Sequence, residues 1–118
     1  SLDMFIHIMF NTDYKLLEVG DYVKFKPSKY DFEDRNDDIM IDKGIMSKDG
    51  YMYGEVLGDT SYSDDFNPTY YKLKLGVLLC DEDKIIMQDY EIKTLDCIKI
   101  DSSDIKYNEL MNIWNEKV

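Results

Sequence analysis

The sequence predicts one α+β domain, mostly β: a small, strongly curved antiparallel sheet closed by a C-terminal amphipathic helix. Short runs alternate apolar and polar residues with period two, and turn signals rich in Gly, Pro, Asp and Ser separate them. The period changes to the helical repeat only after Asp101. The chain has 118 residues, the size of one domain with a real core. Its 44% hydrophobic and 14% aromatic content argues for folding despite a net charge of −11, because disordered chains pair high charge with few aromatics.

Three segments follow: residues 1–10 as an N-terminal strand or extension, 19–100 as a β-rich core, and 104–116 as the helix. Met4 to Phe10 (MFIHIMF) is too short for a membrane span and lacks the basic region and cleavage site of a signal peptide. The expected location is cytoplasmic. Met9 followed by FNTDYKLLEVGD makes a natural start, which would leave residues 1–8 as an upstream extension.

Val19-Gly20-Asp21 leads into YVKFK, where Val23 and Phe25 face a core and Tyr22, Lys24 and Lys26 alternate with them. Pro27-Ser28 ends that strand. DFEDRNDDIMID, Asp31 to Asp42, then reads as an exposed acidic loop whose last four residues begin the next strand. Residues 39–57 read as a hairpin, IMIDKGIM returning as YMYGEVL across the turn Ser47-Lys48-Asp49-Gly50. Gly58 to Thr69 is a polar loop. YYKLKLGVLLC is a strand with Leu73, Leu75, Val77 and Leu79 on one face, Asp81-Glu82-Asp83-Lys84 a charged hairpin turn, and residues 85–87 and 91–100 more strand. Beyond Asp101-Ser102-Ser103-Asp104, a set of N-cap candidates, Tyr107, Leu110, Met111 and Trp114 recur at helical spacing.

Catalytic parts are scarce. The one histidine, His7, sits between Ile6 and Ile8, and Arg35 is the one arginine. Nucleophilic and phosphoryl-transfer sites need more than these, and no Gly-rich phosphate loop or GxSxG occurs. The expectation is a non-enzyme without cofactors. Cys80 and Cys97 lie in apolar strand-like runs without a CxxC, so free buried thiols are expected, with a cross-strand disulfide as the alternative in a secreted chain. A calcium loop started at Asp34 has Asp34, Asn36 and Asp38 at ligand positions, but Ile39 replaces the required glycine and Ile45 the closing glutamate. Started at Asp31, it puts Arg35 at a ligand position. No metal site is expected.

Acidity is the dominant signal: 25 Asp and Glu against 14 Lys and Arg. Phosphate contacts need basic faces, so direct nucleic-acid binding and anionic membranes are disfavoured, and basic proteins are the partners such a surface attracts. The expected partner-binding residues are Asp31, Glu33, Asp34, Asp37 and Asp38 with Tyr30 and Phe32, and Asp64 and Asp65 with Tyr62 and Phe66. Asp42, Asp59, Asp81, Glu82 and Asp83 extend the same charge. Short, stiff aspartates in turns could imitate a phosphate backbone, with the aromatics as anchors. Equally, acidic turns keep a β protein soluble and block edge pairing. Lys24, Lys26 and Lys29 form the one basic patch, read as a solvated strand edge.

The opening VGDYVKF and the closing LDCIKIDSSDIKYNELMNIW resemble SH3-like barrels, in which a Gly-Asp turn enters the first strand and a short helix follows the last. That resemblance makes an SH3-like barrel the closed alternative to an open curved sheet. It also implies an aromatic groove for peptides or an assembly role. In composition the chain resembles small phage and mobile-element proteins of low-GC bacteria. Among these, anti-restriction and anti-CRISPR inhibitors act by DNA mimicry, and toxin-neutralising immunity proteins share the acidity because nuclease toxins are basic. The resulting expectation is an acidic binding or inhibitor protein that occupies a basic, nucleic-acid-binding site on a partner, such as a nuclease.

Overall fold

A computed structural model describes residues 17–59 and 72–117. Five antiparallel strands form one sheet: β1 (Tyr22–Phe25), β2 (Met52–Asp59), β3 (Lys72–Asp81), β4 (Lys84–Lys93) and β5 (Ile98–Lys99). Their order is β4-β3-β2-β1-β5. Among the described residues there are two helices, α1 (Asp37–Asp42) and α2 (Ile105–Lys117), and a 3-10 turn at Thr94–Asp96. The first described strand thus lies beside the last. β4 and β5 occupy opposite edges with no ladder between them among the described residues, so the observed form is the open curved sheet.

Curvature is visible in one contact. β1 and β4 are separated by two strands, which in a flat sheet puts them roughly 14 Å apart. Yet the Phe25 and Tyr90 rings stack at 5.4 Å between centroids. The sheet therefore curls around the face carrying Val23, Phe25, Met52, Val56, Leu75 and Val77, all 2% exposed or less. A register shift between Val56 and Gly58, with Leu57 the extra residue, adds local twist in β2.

Helix α2 covers the opposite, convex face. Tyr22 alternates away from Val23 and meets the Tyr107 ring at 4.8 Å and the Trp114 ring at 5.2 Å. Leu110 is fully buried beneath the helix, while Met111 is 37% exposed at its flank. Burial raises the Glu55 carboxyl above its ordinary value, and the neighbouring Trp114 indole partly offsets this. The indole Nε1 itself makes no hydrogen bond of normal geometry. Lys106 Nζ lies over the Tyr53 ring and donates to the Gly44 carbonyl, tying α2 to the segment after α1.

Two element expectations are corrected. IMID is helical, not the start of a strand. Asn36 caps α1, its Oδ1 accepting from Ile39 N at 3.2 Å, and Asp37 and Asp38 occupy the first turn where negative charge is favoured. The far end closes in a Schellman arrangement: Gly44 has φ of 79°, its N–H reaches Ile41 O, and Ile45 N reaches Met40 O. Met40 and Ile45, both 0% exposed, supply the apolar contact that accompanies such an end. Only Met46 then bridges to β2, opposite Met52. Likewise, residues 91–100 are no continuous strand: the 3-10 turn interrupts the alternation, Cys97 takes a buried place and Ile98 is 44% exposed.

The turn at residues 47–50, the two-residue hairpin between β3 and β4, and the C-terminal helix lie where the patterns put them. Among the described residues, no helix is long and apolar enough to cross a membrane.

Candidate functional site

After β1, Pro27 ends the ladder and the chain folds back over the concave face in a tied loop. Asp31 N donates to Ser28 O, Tyr30 N to Ser28 Oγ, and Arg35 N to Phe32 O. Arg35 is the internal clamp. Its Nε pairs with Asp37 Oδ1 at 2.9 Å, and its Nη1 donates to the carbonyls of Ser28 and Asp31. Phe32 adopts φ of 57°, a left-handed conformation unfavourable for a side-chain-bearing residue. What offsets that cost is packing, since the Phe32 ring lies 4.8 Å from Tyr90.

Tyr90 fastens the loop to β4. Its hydroxyl donates to Asp31 Oδ2 at 2.7 Å. That bond, with lesser help from Ser28 and Arg35, holds the Asp31 carboxyl below the ordinary aspartate value. Burial, reinforced by the same bond, pushes the Tyr90 hydroxyl well above its usual range, so it remains a donor.

Between the loop and the β3–β4 hairpin lies a cleft of about 500 Å³. Tyr30 to Arg35 form one wall; Leu79, Cys80 and Asp81 of β3 with Ile86, Gln88 and Tyr90 of β4 form the other. Ile86, Gln88 and Tyr90 project together because they alternate along one strand. Its floor is apolar and its rim acidic. Glu33, Asp34 and Asp81 make no side-chain hydrogen bond or ion pair among the described residues.

The expected binding residues sort as follows. Glu33, Asp34, Asp37 and Asp38 are exposed, and Tyr30 is 71% exposed. Asp31 and Phe32 are half-buried and spent on holding the loop, and Asp37 is paired with Arg35. Tyr62, Asp64, Asp65 and Phe66 lie outside the described residues, as does His7. Asp81, Glu82 and Asp83 sit at the end of β3 and its turn, and the structure places Asp81 and Asp34, distant in sequence, on opposite walls of one cleft. Sequence reasoning missed Tyr90 and Arg35 as site builders. The period-two run Ile86, Gln88, Tyr90 was the available signal for the first.

Helix α1 occupies the second half of DFEDRNDDIMID, a geometry that a twelve-residue calcium loop does not have. Among the described residues, no three His, Cys, Asp or Glu side chains form a metal-holding group. Cys80 is a half-buried and Cys97 a buried free thiol. Lys24 and Lys26 both lie over the Tyr51 ring, at 4.8 and 5.0 Å, and Lys29 lies over the Tyr30 ring at 5.0 Å.

No family model, curated protein or solved structure matches the chain.

Proposed function

We propose that this is a non-catalytic binding protein whose acidic, aromatic-dotted face occupies a basic site on a partner protein, as a mimic of the phosphate backbone. One observation carries this reading: Glu33 and Asp34 from the loop and Asp81 from β3 converge, unpaired, on one pre-folded cleft with exposed Tyr30 at its edge. Pre-folding matters because a partner then need not be charged for ordering the loop. The partner class that fits is a nuclease or other nucleic-acid-binding protein, and an anti-restriction, anti-CRISPR or immunity-type inhibitor is the corresponding role. Such a protein acts in the cytoplasm.

The test is a salt series on the complex with a captured partner. A mimic loses affinity steeply as salt rises, since exposed charges are screened within about 10 Å at 0.1 M. The triple variant Glu33→Gln, Asp34→Asn, Asp81→Asn abolishes binding on this reading. If the variant binds as the parent does, the reading is wrong.

A second reading, an SH3-like peptide module without mimicry, draws support from the Phe32 and Tyr90 rings lining the cleft. Affinity insensitive to salt favours that module.

A further inference from the structure

We infer that the cleft between residues 30–35 and the β3–β4 hairpin is a receptor for an arginine side chain presented on an extended segment of the partner, an inference that rests on the acidic-surface reading above. The carboxylates alone would suit any cation. What narrows the ligand is the floor beneath them: Phe32 is half-buried, Leu79 is 7% exposed and Ile86 is 36% exposed. Inorganic cations and their water shells gain nothing from such a surface. An arginine lays its methylenes on apolar groups and its guanidinium on carboxylates. A cleft of about 500 Å³ exceeds one side chain, so it also takes the flanking backbone of a short segment.

Charge complementarity supports the same occupant. The cleft is lined by Asp31, Glu33, Asp34 and Asp81 with Arg35 as its one cation. Arg35 already serves Asp37 and two loop carbonyls, and Asp31 serves Tyr90. Three carboxylates are therefore left facing an apolar floor without a counter-ion from the described residues. An incoming guanidinium is the bidentate, weakly hydrated partner that such a rim accepts best.

The probes are the peptide acetyl-Gly-Gly-Arg-Gly-Gly-amide and its citrulline counterpart, which keeps the shape and hydrogen-bonding head but not the charge. Amide shifts of the full chain, followed by two-dimensional NMR during titration, are expected to move saturably at residues 30–35, 79–81 and 86–90 with the arginine peptide. The citrulline peptide should bind at least about tenfold more weakly. Ile86→Lys fills the floor with a competing cation and should abolish the response; exposed Asp34→Asn, which leaves the core untouched, should weaken it. No saturable shift, equal binding of citrulline, or shifts of equal size at Asp101 and Asp104 overturns the inference. Poly-lysine separates the two levels. If it binds with steep salt dependence while the arginine peptide leaves the cleft unmoved, the receptor falls and the acidic-surface reading stands. If neither binds, both fall.

Discussion

The Tyr90 hydroxyl donates a 2.7 Å hydrogen bond to Asp31 across 59 residues of sequence, and so couples the acidic loop to the sheet's edge strand. Tyr90→Phe keeps the ring contacts with Phe25 and Phe32 and removes only that bond. The expected loss is about 1 kcal/mol in chemical denaturation. The pH dependence gives a sharper check. Asp31 is held below its ordinary 3.8, so its contribution is complete above that value and is lost as pH falls through the depressed one. In Tyr90→Phe the carboxyl returns toward 3.8 and the acid limb of the stability curve becomes shallower. Equal slopes in parent and variant would refute the coupling.

Helix α1 depends on its cap. Asn36→Ala leaves Ile39 N without its side-chain acceptor and is expected to cost about 1 kcal/mol. The amides of residues 37–42 should then exchange faster with solvent, while those of β3 keep their protection. Uniform loss of protection would show that α1 is no separable unit.

Two glycines in neighbouring strands should respond differently to alanine. At Gly54 a new Cβ meets the Gly76 carbonyl at 3.2 Å and Leu75 at 3.3 Å, groups that cannot retreat. At Gly76 it meets Met87 Sδ at 2.6 Å, but Met87 is flexible and 49% exposed. Gly54→Ala is therefore expected to cost about 1–3 kcal/mol, the range for overpacking. Gly76→Ala should cost less than Gly54→Ala, because what must move is the far end of an exposed side chain and not backbone. Thermal melts of the two variants decide it, and the reverse order would contradict the packing described.

How much of this was readable beforehand differs from element to element. Val23 and Phe25 announced a core face by period two, and Leu110 and Trp114 by helical spacing, because burial on one face imposes its repeat on the sequence. Leu110→Ala is accordingly expected to cost about 2–5 kcal/mol, measurable as a shifted denaturation midpoint. Ile39 to Asp42 misled because a short apolar run has no period of its own. The decisive marks were outside it, in Asn36 and Gly44.

The thiols divide by depth. Burial pushes Cys97 up to about 12 from its ordinary 9.0, whereas Cys80 is half-buried at the cleft. A raised group stabilises fully below its ordinary value and loses that contribution as pH rises. Stability should thus fall between about pH 9 and 12, less so in Cys97→Ala. A disulfide reagent at pH 8 is expected to label Cys80 first. Labelling of both at one rate would mean that the sheet opens before either reacts.

By itself the sequence determined the class of the fold, the concave apolar set, the C-terminal helix and the excess of carboxylates, because each is written in local spacing or composition. Only the tertiary structure decided that Phe32 turns inward, that Arg35 is spent on its own loop, and that Asp34 and Asp81 share a cleft. The first and last of those facts follow from sheet curvature, which brings Phe25 of β1 to Tyr90 of β4 across two intervening strands. Curvature accumulates from twist and from the register shift in β2, and no stretch of residues read alone contains that sum.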